Sequence, residues 1–199
     1  MIVTGAFALS DVPLPGSVAW ENNKMNDVRT PDPGWFSDDE FDDVRRRIPM
    51  LYVEAVPVHV DDLGFVTDIG VLIRVDQYGE MRSALVAGRV KYGESIRDAL
   101  VRNLEKDLGS LAFPRLPLSP VPATVAEYFP FPGRLVDERQ HAVSLVYIVP
   151  VSGECQPRQD ALDIRWIPFH EALLEAIDSE FVGGRGQVLR AALNTVTQR

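Results

Sequence analysis

Between Gly88 and Ser110 the chain reads GRVKYGESIRDALVRNLEKDLGS, a run that sets side chains able to hold a phosphorylated ligand or a divalent ion along an apolar period. Glu94 stands at the head of an apolar period, and Asn103, Lys106 and Asp107 follow along it. A helix advances about 100° per residue, so positions 103, 106 and 107 share one face. Glu94 and Asp107 could together hold magnesium, which takes hard oxygen ligands and often one or two carboxylates completed by water and substrate oxygens. Lys106 carries the opposite sign on that face. Its ammonium could pair with Asp107 or Asn103, lie in solvent, or meet a diphosphate. Glu105 adds no acid there, because one residue along turns it about 100° away from position 106. Arg82, Arg89 and Lys91 cluster near the segment, either as ligand contacts or as a solvated strand end. The plain structural alternative is an amphipathic helix capped by Gly109, with Glu94 facing the positive end of its dipole.

Other candidates are scattered. Gly183-Gly-Arg-Gly186 ahead of a helix is either an anion seat of backbone N–H groups with Arg185 as counter-charge, or a tight turn. It lacks the Lys-Ser/Thr of a P-loop. Tyr128, Phe129 and Phe131, set among prolines, can stack a base or pack the loop onto a sheet. Cys155 is the only cysteine, so no intrachain disulfide forms, and no histidine near it in sequence supports a nucleophile. His59, His141 and His170 show no ligand spacing.

These residues need elements to position them. The chain has 199 residues, 46% hydrophobic and 25% charged, which excludes collagen-like, coiled-coil and wholly disordered classes. Its 20 Lys+Arg against 29 Asp+Glu leave a net charge of −9, so neither duplex nucleic acid nor an anionic membrane is an expected partner. No apolar run approaches the roughly 20 residues that span a bilayer, and Val3–Leu9 lacks the basic start of a signal peptide, so a cytoplasmic location is expected. Pro13, Pro15, Pro31 and Pro33 predict an extended or disordered lead-in over residues 1–33, with one domain over 34–199. Ser37 and Glu40 form a capping box for a short helix that stops before Pro49. Period-two patterning predicts strands over 50–60, 66–75 and 81–86 as a meander, with Pro57 marking an edge or a bulge. Ile96, Leu100, Leu104 and Leu108 predict a helix over 94–108. The stretch 114–132 is broken by prolines except around 124–129. Strands over 141–151 and 163–167 follow, then helices at about 169–178 and 186–196. This order fits an α+β layered domain better than an alternating doubly wound sheet.

The segment resembles the Nudix box, G-x5-E-x7-R-E-U-x-E-E-x-G-U, where U is a bulky aliphatic residue. Gly88, Glu94, Arg102, Leu104 and Gly109 fall at its spacing, and the surrounding strands and helix sit where that fold has them. The whole chain, with its EYFP and RQHAVSLVYIVP segments, is similar to a bacterial branch of that superfamily. The resemblance covers about residues 50–175. It implies an α/β/α sandwich with a mixed central sheet and the box helix packed on it, a nucleotide or other diphosphate-containing ligand, magnesium or manganese, and a homodimer.

The three glutamates with which the family collects its metal are replaced here by Asn103, Lys106 and Asp107. A lysine about 5 Å from a divalent ion repels it by roughly 7 kcal/mol at an effective dielectric near 20. The resemblance therefore implies a degenerate box that binds its ligand with weak or absent metal binding and hydrolysis. Gly88, Arg102, Leu104 and Gly109 would be its structural residues, and Arg82, Arg89, Lys91, Lys106 and Tyr128 would contact ligand. An active hydrolase is the alternative, with Glu94 and Asp107 as catalytic metal ligands and a base drawn from Glu127, Asp137 or Glu138. A third reading is a structural or regulatory subunit whose proline-rich 114–132 loop and N-terminal lead-in mediate assembly, with Asp38, Asp39, Asp42 and Asp43 beside Arg45–Arg47 serving such contacts instead of forming only a solvated face.

Overall fold

The computed structural model describes residues 36–76, 78–157 and 161–196, and the expected lead-in over 1–33 lies outside them. Helix α1 (Asp38–Arg45) begins at the capping box: Ser37 Oγ accepts from the Glu40 N–H at 3.4 Å, and Glu40 accepts from the Ser37 N–H at 2.9 Å. Strands β1 (Met50–Val60), β2 (Val66–Val75), β3 (Met81–Ala84) and β4 (Val86–Arg89) precede α2 (Ile96–Leu108). After it come β5 (Ala112–Pro114), β6 (Thr124–Tyr128), β7 (Ala142–Gly153) and β8 (Ala161–Pro168). Helix α3 (Phe169–Ala172), a 3-10 turn over Glu175–Glu180 and α4 (Arg185–Leu193) close the described chain.

All eight strands join one sheet, mixed because β1 and β7 run parallel while every other pair is antiparallel. Three expectations need correction. The strand over 81–86 breaks at Leu85, and its halves diverge: β3 pairs with β2, whereas β4 pairs with Tyr52–Ala55 of β1. Strand β2 meets β1 only near Val58–Val60, so that edge of β1 would otherwise carry unpaired backbone groups. Pro57 is neither at a sheet edge nor in a bulge. It sits in the central strand, at the seam between the β4 pairing and the β2 pairing, where a missing N–H costs little. The register shift on β1 comes later, between His59 and Val60. Strand β5 was not expected from its sequence, since two residues of its three-residue ladder with Val151–Gly153 are carried by an apolar pair before a proline. The helix expected over 169–178 is interrupted at Leu174, whose backbone is extended.

Each sheet face carries its own apolar core. On one, α2 buries Ala99, Leu100, Leu104 and Leu108 against Val53, Ala55, Val86 and Val149. On the other, α4 buries Val188, Leu189, Ala192 and Leu193 against Val56, Val58, Ile69 and Val146. Full burial of a leucine contributes roughly 1.5–3 kcal/mol, so the two leucine-bearing helices are firmly held to opposite faces. The α/β/α sandwich implied by the resemblance is the observed fold. Among the described residues no helix is long and apolar enough to cross a membrane.

Candidate functional site

Strand β4 delivers the chain into α2, and the contact between them is unusually close. A Cβ on Gly88 would lie 1.9 Å from Asn103 Oδ1, so only glycine fits without displacing that side chain. Asn103 is 2% exposed, and its amide donates to the Ala99 carbonyl one turn back at 2.8 Å. The loop from β4 into α2 is clasped by Glu94. Its carboxylate takes both arms of Arg102, at 2.6 and 2.7 Å, and also accepts from the Lys91 N–H at 2.9 Å. Arg102 further donates to the Arg89 carbonyl at 2.8 Å. The Arg102 fork, stronger than the opposing burial, holds the Glu94 carboxyl below the usual range.

Asp107, one turn beyond Asn103, is 1% exposed. Two cations converge on its Oδ1, Arg74 from β2 at 2.9 Å and Lys106 at 3.3 Å. Burial raises its carboxyl above the ordinary range, and the two cations only partly counter this. Lys106 also donates to the Ala87 carbonyl at 3.2 Å, which ties the helix to β4.

Arg74 and Ala87 in turn line a cavity of about 220 Å³ that lies against β1, β6, β7 and the start of α4. At its heart Glu54, 3% exposed, accepts from the Tyr128 hydroxyl at 3.1 Å and faces Arg185 at 3.6 Å. Burial pushes the Glu54 carboxyl up against the pull of Arg185 and Tyr128. The Arg185 guanidinium lies 4.6 Å from the centre of the Tyr128 ring and 3.6 Å from Asp137. Burial opposes ionisation of Asp137, but the Arg139 fork at 2.8 and 2.9 Å outweighs it and holds that carboxyl low. Gln140 links Asp137 to the Tyr52 hydroxyl, at 3.3 and 2.9 Å. The Ser144 hydroxyl is buried in the wall without a hydrogen-bond partner. Arg74, Arg139 and Arg185 thus line a small polar chamber, each with a carboxylate partner in Asp107, Asp137 or Glu54, and their remaining N–H groups can donate to an anion.

The glycine-rich entry to α4 is what brings Arg185 here. Gly183 and Gly184 have φ of 68° and 81°, and a Cβ on either would meet the carbonyl of Val136 or Arg134 at 2.2 or 2.5 Å. The tight-turn reading of this segment describes its backbone, and the arginine it carries is aimed into the cavity.

Of the residues singled out in the sequence, Tyr128, Asp137 and Arg185 meet in the cavity, and Lys106 stands beside it through Ala87. Glu94 and Asp107 are engaged separately, the first by Arg102 and the second by Arg74 and Lys106. Arg82 pairs with Asp76 and Glu80 on the β2–β3 hairpin and lines a different depression with Leu162 and Asp163. Arg89 lies over the rings of Phe36 and Phe41. Lys91 engages Glu94 through its backbone. Glu127 is exposed and meets His141 at 2.9 Å. Leu104 packs in the α2 core, and Gly109 ends α2 with a φ of 87°. Glu54, Arg74, Arg139 and Gln140 were not found from the sequence. Glu54 alone left a signal there, as the one acid on an otherwise apolar or aromatic strand face. Among the described residues no three His, Cys, Asp or Glu side chains converge where they could hold a metal ion.

The family model described as a domain of unknown function (DUF4916) matches residues 31–198. No curated protein matches the chain. A solved structure of a possible asymmetric diadenosine tetraphosphate (Ap(4)A) hydrolase from Jonesia denitrificans is 50% identical, with a TM-score of 0.72 over 75% of this chain and 95% of that one. The NUDIX domain of Shewanella oneidensis NrtR, complexed with ADP ribose, is 17% identical, with a TM-score of 0.53 over 81% of this chain and 100% of that one. A bifunctional NMN adenylyltransferase/ADP ribose pyrophosphatase from Francisella tularensis, complexed with AMP and a manganese ion, is 20% identical, with a TM-score of 0.54 over 74% of this chain and 42% of that one. A sandwich with β4 and α2 joined through a box-like loop, matched by that family model over most of its length, places the chain in the DUF4916 family, and its fold is that of the NUDIX domain.

Proposed function

We propose that the cavity binds a nucleotide or another diphosphate-containing ligand without needing a divalent ion, and that hydrolysis is weak or absent. The observation that carries this reading is the pairing of Asp107 with Arg74 and Lys106. At the helix positions where the family pattern places metal-binding glutamates, this chain has Asn103, folded back on its own helix, and an acid already neutralised by two cations. Magnesium or manganese does not fit that set, since its carboxylate ligands would have to be stripped of arginine and lysine first. The cations themselves, with Arg139 and Arg185, supply positive charge for phosphate oxygens, and Arg185 can hold them in a fork.

Calorimetric titration of ADP-ribose in EDTA tests the reading. Saturable binding is expected, weakened by Arg185→Gln and by Lys106→Glu. Binding that appears only with magnesium overturns it.

The 50% identity to a protein described as a possible Ap(4)A hydrolase favours a second reading, an active metal-dependent hydrolase of nucleoside diphosphate-linked compounds. Asp107 and Glu94 are then the acids that hold the metal, and Glu94 has to leave its clasp with Arg102. Metal-dependent release of mononucleotide from diadenosine tetraphosphate, lost in Asp107→Asn, would establish it.

A further inference from the structure

Arg139 and Gln140 face more than this cavity. Both residues also line a second depression of about 430 Å³ on the far side, between the end of α1 and the segment around Pro130 and His141. Arg45, Arg46 and Arg47 form its opposite wall, and Glu138 is the only carboxylate in its lining. On a chain of net charge −9 this is a concentrated positive surface.

Two of these arginines are held loosely. Arg46 and Arg47 reach back to Asp42 and Asp43 at 3.5 and 3.1 Å, with side chains 67% and 73% exposed. Exposed pairs of this kind are worth about 0–1 kcal/mol, so the guanidinium groups can turn to a stronger anion at little cost. Arg45 pairs with Asp42 but keeps its Nε–H buried with no hydrogen-bond partner. Pro130 on the rim leads to Phe131, which is 58% exposed and stacked at 5.1 Å on Phe129. Phe129 stacks in turn on His141, itself part of the lining, at 4.7 Å. Arginines beside an open aromatic stack suit a phosphate chain ending in a base.

Size points the same way. A chamber of about 220 Å³ is below the roughly 300–1,000 Å³ common for drug-sized ligands, so it takes one end of a dinucleotide, not the whole. We propose that the Arg45–Arg47 groove is a second anion site, adjoining the cavity at Arg139, and that it takes the far phosphates and second nucleoside of a dinucleoside polyphosphate. The dinucleotide part of this inference rests on the cavity reading above; the anion site does not.

Arg46→Gln/Arg47→Gln alters exposed side chains only and is expected to fold as the parent does. Diadenosine tetraphosphate, ADP-ribose and inorganic tetrapolyphosphate are titrated against both in EDTA. The double variant should bind the dinucleotide and the tetrapolyphosphate about ten-fold more weakly, the loss of one charged hydrogen bond, and bind ADP-ribose unchanged. Equal weakening of ADP-ribose overturns the assignment of the groove as a separate site. Tetrapolyphosphate that fails to bind the parent, or binds both proteins alike, overturns the anion site. If ADP-ribose does not bind the parent, the cavity reading falls, and the tetrapolyphosphate titration still decides the groove. Phe131→Ala should weaken the dinucleotide and leave tetrapolyphosphate unchanged; unchanged dinucleotide binding overturns the nucleoside assignment.

Discussion

Replacing Lys106 should raise the affinity of the Asp107 carboxylate for a divalent ion. Its Nζ lies 3.3 Å from Asp107 Oδ1. A divalent ion bound to that oxygen at about 2.1 Å would sit within about 5.4 Å of the ammonium. At an effective dielectric of about 20, the repulsion there is about 6 kcal/mol. The Lys106 side chain is 28% exposed and can swing toward solvent, which lowers the realised penalty to about 2–3 kcal/mol. Lys106→Gln should therefore raise manganese affinity by about a hundred-fold over the parent, with Arg74 still 2.9 Å from the same oxygen in both proteins. Asn103→Glu/Lys106→Glu, which restores two acids of the family pattern, should raise it further. Calorimetry or the quenching of the free Mn²⁺ spin signal reads the affinity, with Asp107→Asn as the control in each background. If the parent binds manganese as tightly as Lys106→Gln, and Asp107→Asn abolishes binding in both, the electrostatic reasoning is refuted.

Gly88→Ala should destabilise the fold by about 1–3 kcal/mol, because the new methyl meets Asn103 Oδ1 at 1.9 Å; Asn103→Ala in the same chain should recover much of the loss in urea unfolding. Glu94 has a folded-state pKa below its unfolded value, so its clasp with Arg102 contributes stability that is present above about pH 4.5 and lost as pH falls through the folded value. Glu94→Gln should flatten the pH dependence of the urea midpoint in that acid window, and an unchanged profile would show that the clasp contributes nothing. Tyr128→Phe removes the 3.1 Å hydrogen bond to a buried carboxylate and should cost about 1–3 kcal/mol, with the Glu54 carboxyl moving further up by carbon-13 NMR titration.

Local pattern and local chemistry made much of this protein legible in advance. The capping box of Ser37 and Glu40, the apolar period of α2 and the alternation along β1, β2 and β7 are short-range signals, and the elements appear where those signals lie. The box spacing likewise placed Gly88, Arg102 and Gly109 at the junction of strand, loop and helix. A period describes one element at a time, however, and carries no information about which neighbour it meets. The split at Leu85 followed from an edge of β1 that β2 leaves open, and Pro57 is tolerated because two partners hand over at that residue.

The site shows the same division more sharply. Identity and spacing determined that an acid, a lysine and an asparagine share the α2 face. Only the tertiary structure decided that Arg74, 33 positions from Asp107 in the chain, closes on the acid, and that Glu94 is held by Arg102. Glu54, Tyr128, Asp137 and Arg185 come from four separate stretches spanning 54 to 185, and the sheet and the turn at Gly183-Gly184 bring them within hydrogen-bond or ion-pair reach. The physical reason is that ionisation and ligand preference depend on burial and on charges within a few ångströms. Those are properties of a packed neighbourhood, and sequence order does not contain them.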